Sequence, residues 1–221
     1  MISSKPRVAA FDCDGTLWSG DSGQDFFYWE MERGLLPEAV SGWARPRYED
    51  YRDGRVVETT MCGEMVTLHA GLEAIAVARA AEEFFADRVE PRIFPEMQEL
   101  VRQLAASGCE IWAVSSTCEW VVRAGARRFG IPPDRVLAAR AEVEDGRVTN
   151  RLLSVPTGEA KATALRQSLA GELDAAFGNT MNDLAMLELA RHAFAVNPRP
   201  QLQSIALGRN WGVYFPAPIQ V

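Results

Sequence analysis

A four-residue apolar run that ends abruptly in acid constrains this chain more than any other feature. Val8-Ala9-Ala10-Phe11 is followed at once by Asp12-Cys13-Asp14-Gly15-Thr16. A short, continuous apolar run between polar residues suits a strand buried on both faces of a parallel sheet. Two carboxylates two residues apart at its C-terminal end would face the crevice where open α/β sheets bind ligands. Gly15 lets the chain leave the strand in a conformation closed to other residues. In isolation the motif is equally an Asx-type turn. An EF-hand loop is excluded, because the glycine at position six and the closing Glu are missing.

The remainder of the 221 residues decides between these readings. That length suits one domain with a large insertion, or two small ones. A net charge of −7 argues against nucleic acid as partner, which needs a basic face, but not against a small phosphorylated metabolite. The basic residues are almost all arginine, with Lys5 and Lys161 the exceptions, so Lys161 stands out as a compact ammonium where the chain otherwise uses guanidinium. Cys13, Cys62, Cys109 and Cys118 form no C-x-x-C pair and no zinc spacing, which suits free thiols. No apolar stretch approaches the ~20 residues of a membrane span, and the N-terminal run is too short for a signal segment. The expectation is a cytoplasmic protein without membrane contact, monomer or homodimer.

Helical patterns are expected over 24–33, 37–51, 58–70 and 72–88, with Asp21 or Ser22 capping the first and Asp53-Gly54 ending the second. No strand-like alternation interrupts 18–90. The aromatics there (Trp18, Phe26, Phe27, Tyr28, Trp29, Trp43, Tyr48, Tyr51) suit the core of a helical bundle, with one or two over the first strand. From Arg92 the pattern alternates: a helix over 95–107, a strand over 110–114, a helix over 119–129, a short strand over 136–139 and a hairpin over 141–149 turning on Asp145-Gly146. A helix over 159–170, a strand over 173–177, a helix over 184–190 and a strand over 192–196 follow. This implies an α/β fold, a doubly wound, mainly parallel, Rossmann-like sheet with an inserted all-helical segment. The boundaries are 1–17 and 91–221 for the core and 18–90 for the insertion.

Three strands thus end in polar clusters: Asp12/Asp14, Ser115, and Asn179/Asn182/Asp183 after Gly178. With Lys161 between the last two, this order resembles the haloacid dehalogenase superfamily of phosphatases, in the branch containing the phosphoserine phosphatases. The resemblance spans essentially the whole chain and implies that 18–90 is a helical cap domain. It implies a Mg²⁺-dependent phosphatase of a small phosphomonoester. Asp12 would be the nucleophile and Asp14 the general acid and base. Thr16 would orient Asp14, and Gly15 would shape the turn. The Ser115 hydroxyl, the Ser116 backbone N–H near a helix N-terminus, Lys161 and Asn182 would bind phosphate or order its loop. The metal ligands would be the Asp12 carboxylate, the Asp14 carbonyl and Asn179, with Asp183 holding a metal-bound water. Asn179 departs from the family, which has Asp there, and this implies weaker metal affinity. Asp21 is a candidate for substrate specificity as well as a helix cap. Phosphoserine itself would need an arginine in the middle of the cap, and none lies between Arg55 and Arg79. The alternatives are a phosphoserine phosphatase proper and a catalytically weak phosphate-binding protein. His69 and His192 read as structural or exposed, and Arg45, Arg47, Arg52 and Arg55 as a solvated face.

Overall fold

The structure, a computed structural model, describes residues 5–219. Its strands are β1 (Val8–Phe11), β2 (Glu110–Cys118), β3 (Val136–Glu144), β4 (Arg147–Ser154), β5 (Ala175–Gly178), β6 (His192–Val196) and β7 (Gly212–Tyr214). They form one sheet in the order β4-β3-β2-β1-β5-β6-β7. The apolar run sits at the centre as β1, pairing in parallel with β2 on one side and β5 on the other, so that Phe11 lies opposite Ala113 and Phe177. Only the β3–β4 pair is antiparallel. The connections change direction at β1, and the crevice beyond its C-terminal end is where such sheets bind ligands. Alanines at 9, 10, 175 and 176 let the central strands bury completely. Phe11 stacks on Phe177 at 4.2 Å and Phe177 on Phe194 at 4.8 Å. This aromatic ladder braces the sheet one residue before Asp12.

Between β1 and β2 come α1 (Ser22–Glu32), α2 (Glu38–Arg52), α3 (Glu58–Thr67), α4 (Ala74–Phe84) and α5 (Pro95–Ala106). The helix expected over 72–88 ends at Phe84, and a π-turn over Phe85–Val89 and a 3₁₀ turn over Glu90–Arg92 carry the chain back. Entry and exit are tied together: Trp18 bridges Ile93, the Ser19 N–H donates to Arg92 O, and the Phe94 N–H donates to Leu17 O. Phe27, Leu36, Ala44, Tyr48, Val56, Met61 and Leu68 form a satellite core within the inserted helices. Trp18, Phe26, Trp29, Phe84 and Phe85 instead join the main core with Trp120 and Val121. The inserted helices therefore share packing with the sheet layer.

The rest comprises α6 (Glu119–Arg128), α7 (Glu159–Ser168), α8 (Leu184–Leu189) and α9 (Pro200–Gly208). Two differences from the sequence reading matter. The strand expected to stop at Val114 runs on to Cys118, and the strand and hairpin expected separately are one pair, β3–β4. Asp145 and Gly146 both take positive φ, 49° and 77°, as a type I′ turn requires. The hairpin reaches the inserted segment, where the Ala74 N–H donates to Gly146 O and the Gly71 N–H to Val148 O. α9 and β7 lie beyond Pro198, where the sequence reading ended. Among the described residues no helix is long and apolar enough to cross a membrane, and the four cysteines are free.

Candidate active site

Each strand end delivers one part of the site. Asp12 leaves β1 with its backbone N–H bonded to Phe177 O. Its Oδ1 accepts from Lys161 Nζ at 2.6 Å, and its Oδ2 accepts from the Thr16 hydroxyl at 3.0 Å. Thr16 was expected on Asp14. The turn in which the Thr16 and Leu17 N–H groups both donate to Cys13 O folds Thr16 back onto Asp12 instead. Burial and the charge of Asp183 push the Asp12 carboxyl up to about 7, against the pull of Lys161.

Lys161, on the first turn of α7, is buried and spends its N–H groups on Asp12 Oδ1, Val114 O (3.0 Å) and Asp183 Oδ1 (2.7 Å). Burial alone would lower its pKa, but the adjacent charges of Asp12 and Asp183 raise it and keep the ammonium protonated. Asp183 is the hub of the third cluster. Its Oδ2 accepts from the backbone N–H groups of Asn179 and Thr180, both at 2.9 Å. Gly178 makes room for it, since a Cβ there would fall 2.5 Å from Asp183 Cβ. Both Asp183 oxygens therefore serve protein partners, and the residue organises Lys161 and the loop. Asn182 is likewise engaged, its Nδ2 donating to Glu58 Oε2 on the inserted helices.

Asp14 is held by three donors. Oδ1 accepts from Trp18 Nε1 and from the Ser22 N–H, both at 2.7 Å, and Oδ2 accepts from the Thr117 hydroxyl at 2.8 Å. Neither Trp18 nor Thr117 emerged from the sequence. Thr117 lies beyond the strand expected over 110–114, whereas the longer β2 carries it alongside Asp14. Ser115 is buried, and its Oγ accepts from the Thr117 N–H at 3.1 Å. Ser116 stands within β2, three residues before α6 begins, so its N–H is not part of that helix N-terminus. Gly15 has φ 79°, and a Cβ there would fall 1.9 Å from Asn179 Nδ2. Glycine is thus needed twice, for the turn and for the Asn179 side chain lying against it.

A cavity of about 200 Å³ connects these groups to the inserted helices, whose contribution includes Asp21, Gln24, Phe27, Tyr48, Tyr51 and Glu58. Asp21 caps α1, accepting from the Gln24 N–H at 2.8 Å. It reaches solvent at the cavity mouth yet has protein around its carboxylate. This crowding, with the charge of Asp14, raises its carboxyl to about 6. Glu58 accepts from the Thr157 hydroxyl at 2.7 Å as well as from Asn182. No cluster of three His, Cys, Asp or Glu side chains able to hold a metal exists among the described residues. The donors present are instead the Asp12 carboxylate and an Asn179 amide packed against the Asp14–Gly15 turn. These hard oxygens suit Mg²⁺, which takes one or two carboxylates and keeps water and substrate phosphate for the rest.

Residues 9–188 match the family described as haloacid dehalogenase-like hydrolase. The chain belongs to that family. It is 30% identical over 219 residues to the histidinol-phosphatase of Neisseria meningitidis serogroup C, covering 94% of this chain and 97% of that one. It is 28% identical over 229 residues to a phosphoserine phosphatase of Mycobacterium tuberculosis, covering 93% of this chain and 70% of that one. In structure it resembles a Bordetella pertussis Tohama I protein of unknown function, with TM-score 0.82, 28% identity and coverage of 96% and 99% of the two chains. The fold and family drawn from D-x-D-G-T and the strand-end clusters are therefore those the hydrolase has.

Proposed function

We propose that this hydrolase is a Mg²⁺-dependent phosphatase that cleaves a small phosphomonoester through an aspartyl-phosphate on Asp12. The observation that carries the reading is the division of labour between the two carboxylates. Asp12 is buried against Lys161 and Thr16, so its oxygens are fixed for attack. Asp14 is oriented separately by Trp18, Ser22 and Thr117. Phosphoryl transfer depends mostly on such positioning and on charge neutralisation.

Asp12 attacks phosphorus, and the ester oxygen departs with a proton from Asp14. Asp14 then takes a proton from the water that hydrolyses the acyl phosphate. With Asp14 Oδ1 accepting two N–H groups, Oδ2 is the oxygen suited to carry the proton. Lys161, whose N–H groups are committed to Asp12, Val114 O and Asp183, would contribute its charge, and the Ser115 hydroxyl and Ser116 N–H would supply donors to the phosphoryl oxygens. The Asp12 carboxylate, the Asp14 carbonyl and Asn179 would hold Mg²⁺, which when bound supplies positive charge to the transferring phosphoryl group. Residues 18–90 act as the cap over a core of 1–17 and 91–221, and Asp21 contributes to substrate choice.

Phosphoserine phosphatase proper is supported by the name of the Mycobacterium tuberculosis relative. Against it, Lys161 is the only Lys or Arg among the described residues that line the cavity, so among them a substrate carboxylate has no counter-ion on the cap. Histidinol phosphate, suggested by the Neisseria meningitidis relative, carries no carboxylate. The intact Asp12, Asp14 and Lys161 argue against a catalytically silent phosphate binder. Release of inorganic phosphate from an aryl phosphate with and without Mg²⁺ tests the reading. No release at any Mg²⁺ concentration would defeat it.

A further inference from the structure

One buried ionisable pair has no role in the chemistry above. Glu30 and His69 are 2% and 1% exposed, and Glu30 Oε2 lies 2.7 Å from His69 Nε2. The other ring nitrogen, Nδ1, faces Val66 O at 3.2 Å. A ring nitrogen facing a carbonyl must donate to it, so Nε2 and the carboxylate share whatever further proton the pair holds. His69 is enclosed by Phe26 and Trp120, with ring centroids at 6.2 and 5.2 Å. Burying such a pair costs enough that apolar residues of the same volume would often serve stability as well or better. Its position supplies a reason for it: Glu30 lines the same cavity as Asp12 and Asp14.

The cavity runs along α1. Asp21 caps that helix and Glu30 lies nine residues further on, about 13 Å along the axis at 1.5 Å per residue. Apart from Asp12, Asp14 and Lys161, the charged groups that line it are Asp21, Glu30 and Glu58. Glu58 is engaged by Thr157 and Asn182, and Asp21 by the Gln24 N–H. Lys161, the one Lys or Arg among the described residues that line the cavity, is committed to Asp12, Val114 and Asp183.

We propose that Glu30, held in place by His69, is a specificity-determining residue that receives a basic nitrogen at the organic end of the substrate. The substrate class is then a phosphomonoester of an amino or nitrogen-heterocyclic alcohol that lacks a carboxylate. This rests on the phosphatase reading, and the tests keep the two apart. In Glu30→Gln the amide can donate to Nε2, so a purely structural role survives while the carboxylate that would receive the amine is lost. For an aminoalkyl phosphate KM rises tenfold or more with kcat little changed, and for an aryl phosphate kcat/KM is unaltered. Equal loss on both substrates, or an unchanged KM for the amine, overturns the assignment.

A second measurement needs neither the variant nor turnover. Calorimetry of the unsubstituted protein with aminoalkyl, alkyl and carboxyalkyl phosphonates of one chain length reads the preference directly. The amine is expected to bind at least tenfold tighter than the alkyl compound, and the carboxylate most weakly. Equal affinities, or a carboxylate preference, overturn the proposal even if phosphatase activity is present. Absent aryl phosphate turnover would count against the phosphatase reading alone.

Discussion

Replacing Thr117 by Val removes one hydroxyl from the support of Asp14 and leaves almost everything else in place. The side chains are nearly isosteric. Thr117 is buried and its backbone N–H stays on Ser115 Oγ, while the lost bond is the 2.8 Å contact from its Oγ1 to Asp14 Oδ2. Hydrogen bonds to a charged group contribute roughly 1.5–3 kcal/mol, and about 1.4 kcal/mol is a factor of ten in rate. If that bond is needed to aim Oδ2 at the leaving oxygen, kcat/KM toward an alkyl phosphate falls about 10- to 150-fold. An aryl phosphate, whose leaving group needs little protonation, loses much less in single-turnover phosphorylation. Thr117→Ser, which keeps the hydroxyl, recovers most of the rate. Stopped-flow measurement of the phosphorylation step with both esters decides it. Equal losses on both substrates, or no loss on the alkyl ester, would refute the assignment of Oδ2 as the proton carrier.

Asn179→Asp adds a carboxylate beside the Asp14–Gly15 turn and should lower the Mg²⁺ concentration for half-maximal rate; superimposed Mg²⁺ titrations would make Asn179 a turn residue only. Gly125→Ala should destabilise the protein by about 1–3 kcal/mol through overpacking, because its Cβ would fall 2.6 Å from Trp18 Cη2 and 2.7 Å from Phe85 Cε2. It should also lower kcat by displacing the Trp18 Nε1 that holds Asp14 Oδ1, which thermal melts and initial rates measure. The Asp21 carboxyl, raised to about 6 by desolvation and by Asp14, is charged above that pH and neutral below it. KM for an amine-bearing substrate should therefore rise as the solution is acidified through about pH 6, and Asp21→Asn should flatten that limb.

What could be read from the sequence follows the range of the forces involved. Asp12, Asp14 and the Gly178–Asp183 loop were legible because each follows an apolar run, and parallel sheets gather strand ends at one crevice; Lys161 was legible as a lysine in a chain whose basic residues are almost all arginine. The partners of those residues were not. Thr16 is four residues from Asp12, and only the tight turn onto Cys13 O decides which carboxylate it meets. Thr117 became invisible when the strand was ended at Val114, since the polar Ser115-Ser116-Thr117 carries no apolar signal. Trp18 reads as core, and it is fully buried, yet its indole N–H is what fixes Asp14. Glu30 and His69 stand 39 residues apart and meet only through tertiary packing. The sequence reading of Asp183 was a holder of metal-bound water; its bonds to Lys161 and to two backbone N–H groups of its own loop are contacts that spacing alone does not show.

The central claim is that Asp12 becomes phosphorylated during turnover. Acid-quenching the enzyme in the pre-steady state with Mg²⁺ and substrate, then mapping the modified peptide by mass spectrometry, tests it most directly. One phosphoryl group is expected on Asp12, formed and lost at rates that match turnover and absent in Asp12→Asn. Sustained phosphate release with no covalent adduct, or an adduct on any other residue, would contradict it.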